Sequence, residues 1–312
     1  MVSLSMFCQI LNVFAVYAKK SWGVKLQELL ICLLFLSPAV DAYRISTKYA
    51  DEELGIDPLN EMVCNKCVEL AFESIPGCVL QLYAWLAYPD QAGTYALVSI
   101  GISALTTGFT SAMIAFDKDV DVVGRRAQPK FYGYIPDDNG LRGRCFALMT
   151  IISSLHNVSR SLSVALLAAS GNKMLVVYFV GGEVALFFMF KCIRGDIWYW
   201  TPATGVLTYI VAFFGRIVGK VIADFSGCLH FRYAYEMGGI ALSVSMMWAQ
   251  IMPFVALQFY EGGNKDALTT ILVCSFALWL LLNFDFFCTI DLSYLNMFFG
   301  TMTAPQYACE LF

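Results

Sequence analysis

The sequence predicts an all-α protein: a polytopic transmembrane bundle of about eight helices, one of them read as re-entrant, in two pseudo-repeated halves. Three observations predict it. Hydrophobic residues make up 59 % of the 312 and charged residues 14 %, whereas a soluble domain carries about 25 % charged residues. Apolar runs of about 20 residues recur along the chain, the length a helix needs to cross hydrocarbon. Several ionisable residues sit inside those runs, where each costs about 2.5–3.5 kcal/mol at a helix centre and therefore faces a partner or water.

Read between polar breaks, the helices fall near 26–41, 61–88, 95–116, 144–170, 173–193, 198–222, 238–260 and 267–288, with 4–18 a candidate ninth. Together they form a single transmembrane domain over 1–312. Segment 4–18 lacks a positive n-region, since Lys19 and Lys20 follow its apolar run. That order is the reverse of a signal peptide's, so it reads as a short first helix or the remainder of one. Segment 26–41 is short for a crossing and carries Pro38, which favours a tilt, a half-buried course or a kink.

Lys and Arg in short loops set orientation. Loop 117–143 holds Lys118, Arg125, Arg126, Lys130 and Arg142, with Arg144 at its edge, the strongest cytosolic signal in the chain. The connection 89–94 has no basic residue, so 61–88 and 95–116 form a hairpin whose tip faces outward. Lys191 and Arg194 then lie on the cytosolic side, while Lys19, Lys20 and Lys25 conflict with a full crossing by 26–41. Trp198-Tyr199-Trp200 suits an interfacial start, and 198–222 is read as re-entrant, leaving 224–236 cytosolic.

The candidate polar track consists of Glu69, Glu73, Gln81, His156, Arg160 and Glu183. Glu69 and Glu73 share a helix face, as do His156 and Arg160, each pair being four residues apart. Counting from helix midpoints puts Glu73, His156, Arg160 and Glu183 at similar depth, with Arg160 the expected partner of Glu73. Two readings stand: charges that lock helices together, or a route for ions or lipid headgroups. Arg216 and Lys220 carry less, because long basic chains snorkel to the interface. Ser99, Ser103, Thr107 and Ser111 form a small-residue packing stripe. The sequon at Asn157-Val158-Ser159 lies mid-membrane and should be unused.

Motifs of soluble enzymes are missing: there is no G-x-x-x-x-G-K-[ST], H-E-x-x-H or G-x-S-x-G. No catalytic residue, cofactor or metal site is proposed. The eleven cysteines are scattered in apolar surroundings, and Cys64-x-x-Cys67 has no second ligand pair. A net charge of −4 gives no indication of nucleic acid.

The segment Glu73 to Tyr83 has a partner in Gln250 to Tyr260; both read E/Q-x-x-P-x-x-x-L-Q-x-Y. Each proline, Pro76 and Pro253, removes a backbone hydrogen bond and is expected to kink its helix. The repeat hairpins would be 61–116 and 238–288, and transporter folds are often built from such repeats. Glu73-x-x-Pro76-x-x-x-Leu80-Gln81-x-Tyr83 also resembles the E-x-x-P-Q-x-x-L-Q-x-Y signature of the XK-related membrane proteins, with Gly77 where that family has its first Gln. The resemblance covers eleven residues. It implies a bundle of two pseudo-symmetric halves, some members moving phospholipid between leaflets without ATP and others acting as partners of membrane or lipid-transfer proteins. The expectation is a multi-pass, scramblase-like membrane protein whose partners are lipids and a protein met through loop 117–143. The alternatives are a secondary transporter or channel using the same charges, and a non-transporting scaffold.

Overall fold

The computed structural model describes residues 20–34, 36–47, 58–122, 133–194, 240–262 and 265–290, with isolated residues of 6–17 and 209–217 and positions 126 and 197. Among the described residues every regular element is helical. In order these are α1 (Trp22–Leu33), α2 (Ser37–Ser46), α3 (Pro58–Glu69), a π turn (Leu70–Ser74), α4 (Ile75–Ala87), α5 (Pro89–Val120), α6 (Asn139–Ala169), α7 (Lys173–Arg194), α8 (Ile240–Gln258) and α9 (Lys265–Thr289). Contacts gather into two compact units, Met1–Gly77 and Cys78–Phe312.

In the first unit, segment 26–41 is two helices. The first ends at Leu33 with Leu34 as its cap and the second starts at Ser37, where a first-turn proline is tolerated because its missing N–H would be unbonded anyway. Helix α1 turns Trp22, Leu26, Leu30 and Leu33 outward and buries Glu28 and Cys32. That is the inverse of a soluble amphipathic helix. Between α3 and α4 the π turn ends at Ser74, two residues before Pro76. The proline removes one hydrogen bond of the ladder and its ring crowds the preceding turn; widening that turn relieves both, so the expected kink takes the form of a π bulge.

In the second unit, a short turn at Tyr88 joins α4 to α5. Tyr88 leaves the helix, Pro89 restarts it, and Gly93 (φ 57°) bends the first turn of α5, a conformation that glycine adopts without a Cβ penalty. Helix α6 is the axis: α5 packs on it most extensively, followed by α8, α9 and α7. One buried cluster joins Ala112, Cys145, Leu148, Met246, Trp279 and Phe286, and a second joins Cys78, Leu86, Leu166, Phe179, Leu257 and Leu272. Thus α5, α7 and α9 run antiparallel to α6, and α8 runs parallel to it. Val120, Asn139, Arg194, Ile240 and Thr289 consequently lie at one end of the unit, and Leu86 and Tyr260 at the other.

Phe109, Val177, Ile193, Leu281 and Phe284 are among many large apolar residues facing outward. Helices Asn65–Ala87, Gln91–Asp117, Lys173–Ile193 and Lys265–Thr289 are long and apolar enough to cross a membrane. With an apolar exterior and four helices of spanning length, the chain is a helical membrane protein. Segments 144–170 and 238–260 form helices α6 and α8. Most of 4–18 and 198–222, with Arg216, Lys220 and loop 224–236, lies outside the described residues.

The candidate functional site

Helix α6 carries a nearly unbroken polar stretch, Ser153 to Ser163, and because neighbours cover it on several sides most of that stretch is buried. Its centre is an ion pair. Arg160 Nε donates to Glu183 Oε1 at 3.1 Å and its Nη2 donates to Glu183 Oε2 at 2.8 Å. The two side chains are 4 % and 1 % exposed. A two-point guanidinium–carboxylate contact is the geometry that best offsets desolvation of both charges. Arg160, the expected partner of Glu73, is held by Glu183.

Around this pair the polar shell continues. Ser159 Oγ donates to Gln250 Oε1 at 3.0 Å, and Ser163 Oγ donates to the Ser159 carbonyl at 3.0 Å. His156 and Asn157 are buried, and Lys191 is fully enclosed with Nζ 5.8 Å from the centre of the Phe187 ring. Four buried polar atoms on this interior, Gln81 Oε1, Ser153 Oγ, Asn157 Nδ2 and Gln250 Nε2, have no hydrogen-bond partner among the described residues. Buried polar groups are satisfied in the large majority of cases, so this interior has spare hydrogen-bonding capacity.

The other predicted residues are placed differently. Glu69 takes Lys66 Nζ at 2.8 Å along its own helix and is two-fifths exposed. Glu73 lies half-buried in the π turn. Both belong to the first unit, as does Pro76. Pro253 sits within α8, which continues through it to Gln258. The repeat partners differ locally: Gln81 is half-buried but Gln258 exposed, and Tyr260, beyond its helix end, donates from Oη to the Leu86 carbonyl at 3.1 Å. In the small-residue stripe Thr107 and Ser111 are buried, whereas Ser99 is exposed. The close approach is at Gly108 instead, where an added Cβ would lie 2.0 Å from Ser154 Oγ and 2.6 Å from the Thr150 carbonyl oxygen.

At the opposite end from Tyr260, Asp119 is fully buried and accepts the backbone N–H groups of Gly133 (2.7 Å), Tyr134 (3.3 Å) and Ile135 (3.0 Å). Asp138 caps α6 through the Leu141 N–H at 2.9 Å. Arg142 donates to the Pro136 carbonyl and to Asp137, and Arg144 pairs with Asp285. Thus two basic residues counted toward loop 117–143 are engaged in holding helix ends. Sequence reasoning missed Lys191, Gln250 and Asp119. Gln250 was within reach, since the repeat aligns it with Glu73; Asp119 carried no signal beyond its place at a helix end.

Compared with protein-family models, characterised proteins and solved structures, the chain finds no match.

Proposed function

We propose that this membrane protein is a multi-pass, scramblase-like protein of the XK-related type, which moves phospholipid between leaflets without ATP. The observation that carries the reading is the buried polar face of α6, with hydrogen-bonding capacity that its neighbours leave unused. A headgroup crossing hydrocarbon meets a barrier set by its desolvation. Polar partners along one face lower that barrier: here Ser153, His156, Asn157 and Arg160 on α6, Glu183 on α7, Gln250 on α8 and Gln81 on α4. With Arg160 and Glu183 enclosed, the arrangement corresponds to a closed state, and lipid movement requires α6 to part from a neighbour.

One observation favours a second reading. The two-point Arg160–Glu183 pair satisfies itself, as a purely structural lock in a scaffold would. Dithionite quenching of fluorescent lipid in proteoliposomes separates the two. The expected result is quenching beyond the outer leaflet, lost on Gln250→Leu. Quenching no greater than in empty vesicles, with and without activating proteolysis or phosphorylation, overturns the scramblase reading. Ion flux without lipid movement would point to a channel or transporter.

A further inference from the structure

A cavity in the first unit supports a binding site independent of the lipid-movement reading. It measures about 120 Å³ and is lined by Gln9, Ser37, Asp41, Met62, Asn65, Lys66 and Glu69, with walls mostly of apolar atoms. Asp41 is only 5 % exposed. The nearest guanidinium, that of Arg44, stands 4.0 Å from it. Arg44 makes its close contacts elsewhere, with Glu28 and, at 2.9 Å, with the Tyr17 hydroxyl. Lys66 is bonded to Glu69. Among the described residues, three carboxylates, Glu28, Asp41 and Glu69, share two cations, Arg44 and Lys66. Burial raises the Asp41 carboxyl above its ordinary range, an effect opposed by a hydrogen bond from Asn65 and by Arg44.

From this we infer that the cavity binds a small organic ammonium ion, its charge against Asp41 and its carbons against the stems of Met62, Lys66 and Glu69. Electrostatics select the sign, because a buried carboxylate without a full counter-charge is costly and a cation offsets that cost. Volume selects the size. A cavity of about 150 Å³ takes benzene, so one of about 120 Å³ takes roughly four or five heavy atoms by the same measure, as in ethanolammonium or tetramethylammonium. A bare alkali ion would leave most of the space and all of the apolar wall unused. The same chemistry occurs free in solution and in the headgroup of phosphatidylethanolamine.

The test is thermal unfolding of the purified full-length chain in detergent, titrated with tetramethylammonium and ethanolammonium chloride against sodium chloride at matched ionic strength. The expected result is a saturable rise in Tm with either ammonium and none with sodium. Asp41→Asn and, separately, Met62→Trp, which fills the cavity without altering charge, should each weaken the response at least tenfold. An equal response to sodium, or an undiminished response in Met62→Trp, overturns the inference; so does no response in the wild type. Repeating the titration in nanodiscs of phosphatidylethanolamine and of phosphatidylglycerol identifies the source: competition by the former assigns the site to the headgroup, equal affinity in both to a free cation. Lipid quenching is read separately, so failure of either proposal leaves the other standing.

Discussion

Replacing Glu183 with Leu should destabilise the protein far more than replacing Glu183 and Arg160 together. The single change leaves a guanidinium that is 4 % exposed without its carboxylate. Breaking a buried pair from one side costs about 3–5 kcal/mol, the same order as the 2.5–3.5 kcal/mol charged for one ionised side chain at the centre of a membrane helix. Arg160→Met alone strands the carboxylate and should cost about as much. In Arg160→Met/Glu183→Leu both charges are gone and the volumes roughly kept, so stability should return to within about 1 kcal/mol of wild type or exceed it. The cycle then gives an interaction term of at least about 3 kcal/mol, several times the non-additivity of unrelated sites. The assay is reversible unfolding in mixed micelles, or Tm ranking where refolding fails. Losses that simply add would refute the reasoning, because they would show that each residue acts through other neighbours. The double variant also separates the two functional readings. If it is as stable as wild type yet moves no lipid, the pair belongs to the route; if it moves lipid normally, the pair is a lock.

Gly108→Ala should destabilise by about 1–3 kcal/mol, toward the upper end because two of the three atoms its Cβ would meet belong to the α6 backbone; an unchanged Tm would mean that α5 and α6 are further apart than described. Asp119→Ala removes the acceptor of three backbone N–H groups and should lower stability by about 3 kcal/mol, while Asp119→Asn, which keeps one acceptor oxygen, should lose less; equal losses would argue against the cap. Cysteines introduced at Gly140 and Tyr233 in a cysteine-free background should both resist an impermeant thiol reagent in intact cells, because Arg194 and Ile240 lie at the same end of the second unit as Asn139. Labelling at 233 alone would make 198–222 a full crossing.

Much of the helical framework was legible because apolar run length is a direct physical requirement of hydrocarbon. Segments 61–88, 95–116, 173–193 and 267–288 correspond to the four helices suited to spanning, and Pro38 marked the break within 26–41. The partner of Arg160 was not legible. Midpoint counting gives depth along the membrane normal but no azimuth, so it could not single out Glu183. The packing stripe was legible in part, with Thr107 and Ser111 buried and Ser99 exposed. Serine and threonine were counted as small, but the residue that lets the backbones meet is the glycine next to Thr107. The Asp41 cavity rests on two short helices without a repeating pattern, so nothing periodic pointed to Glu28, Arg44 and Asn65 as neighbours.

The contact at Gly108 bears on how the interior could open. A helix crossing with backbone against backbone resists sliding: moving α5 along α6 by one turn, about 5.4 Å, would bring buried Ala104 or Ala112, each with a Cβ, into the place only a glycine fits. Helices α5 and α6 must then travel as one body. Between α7 and α8 the seam is made of side chains, with a Cβ added at Gly182 3.3 Å from the Trp248 ring and the Phe179 and Trp248 rings near-parallel with centroids 6.4 Å apart, surfaces that can shear and re-seat. Any gate in this protein would therefore swing on the α7–α8 side, with the α5–α6 pair as its fixed post.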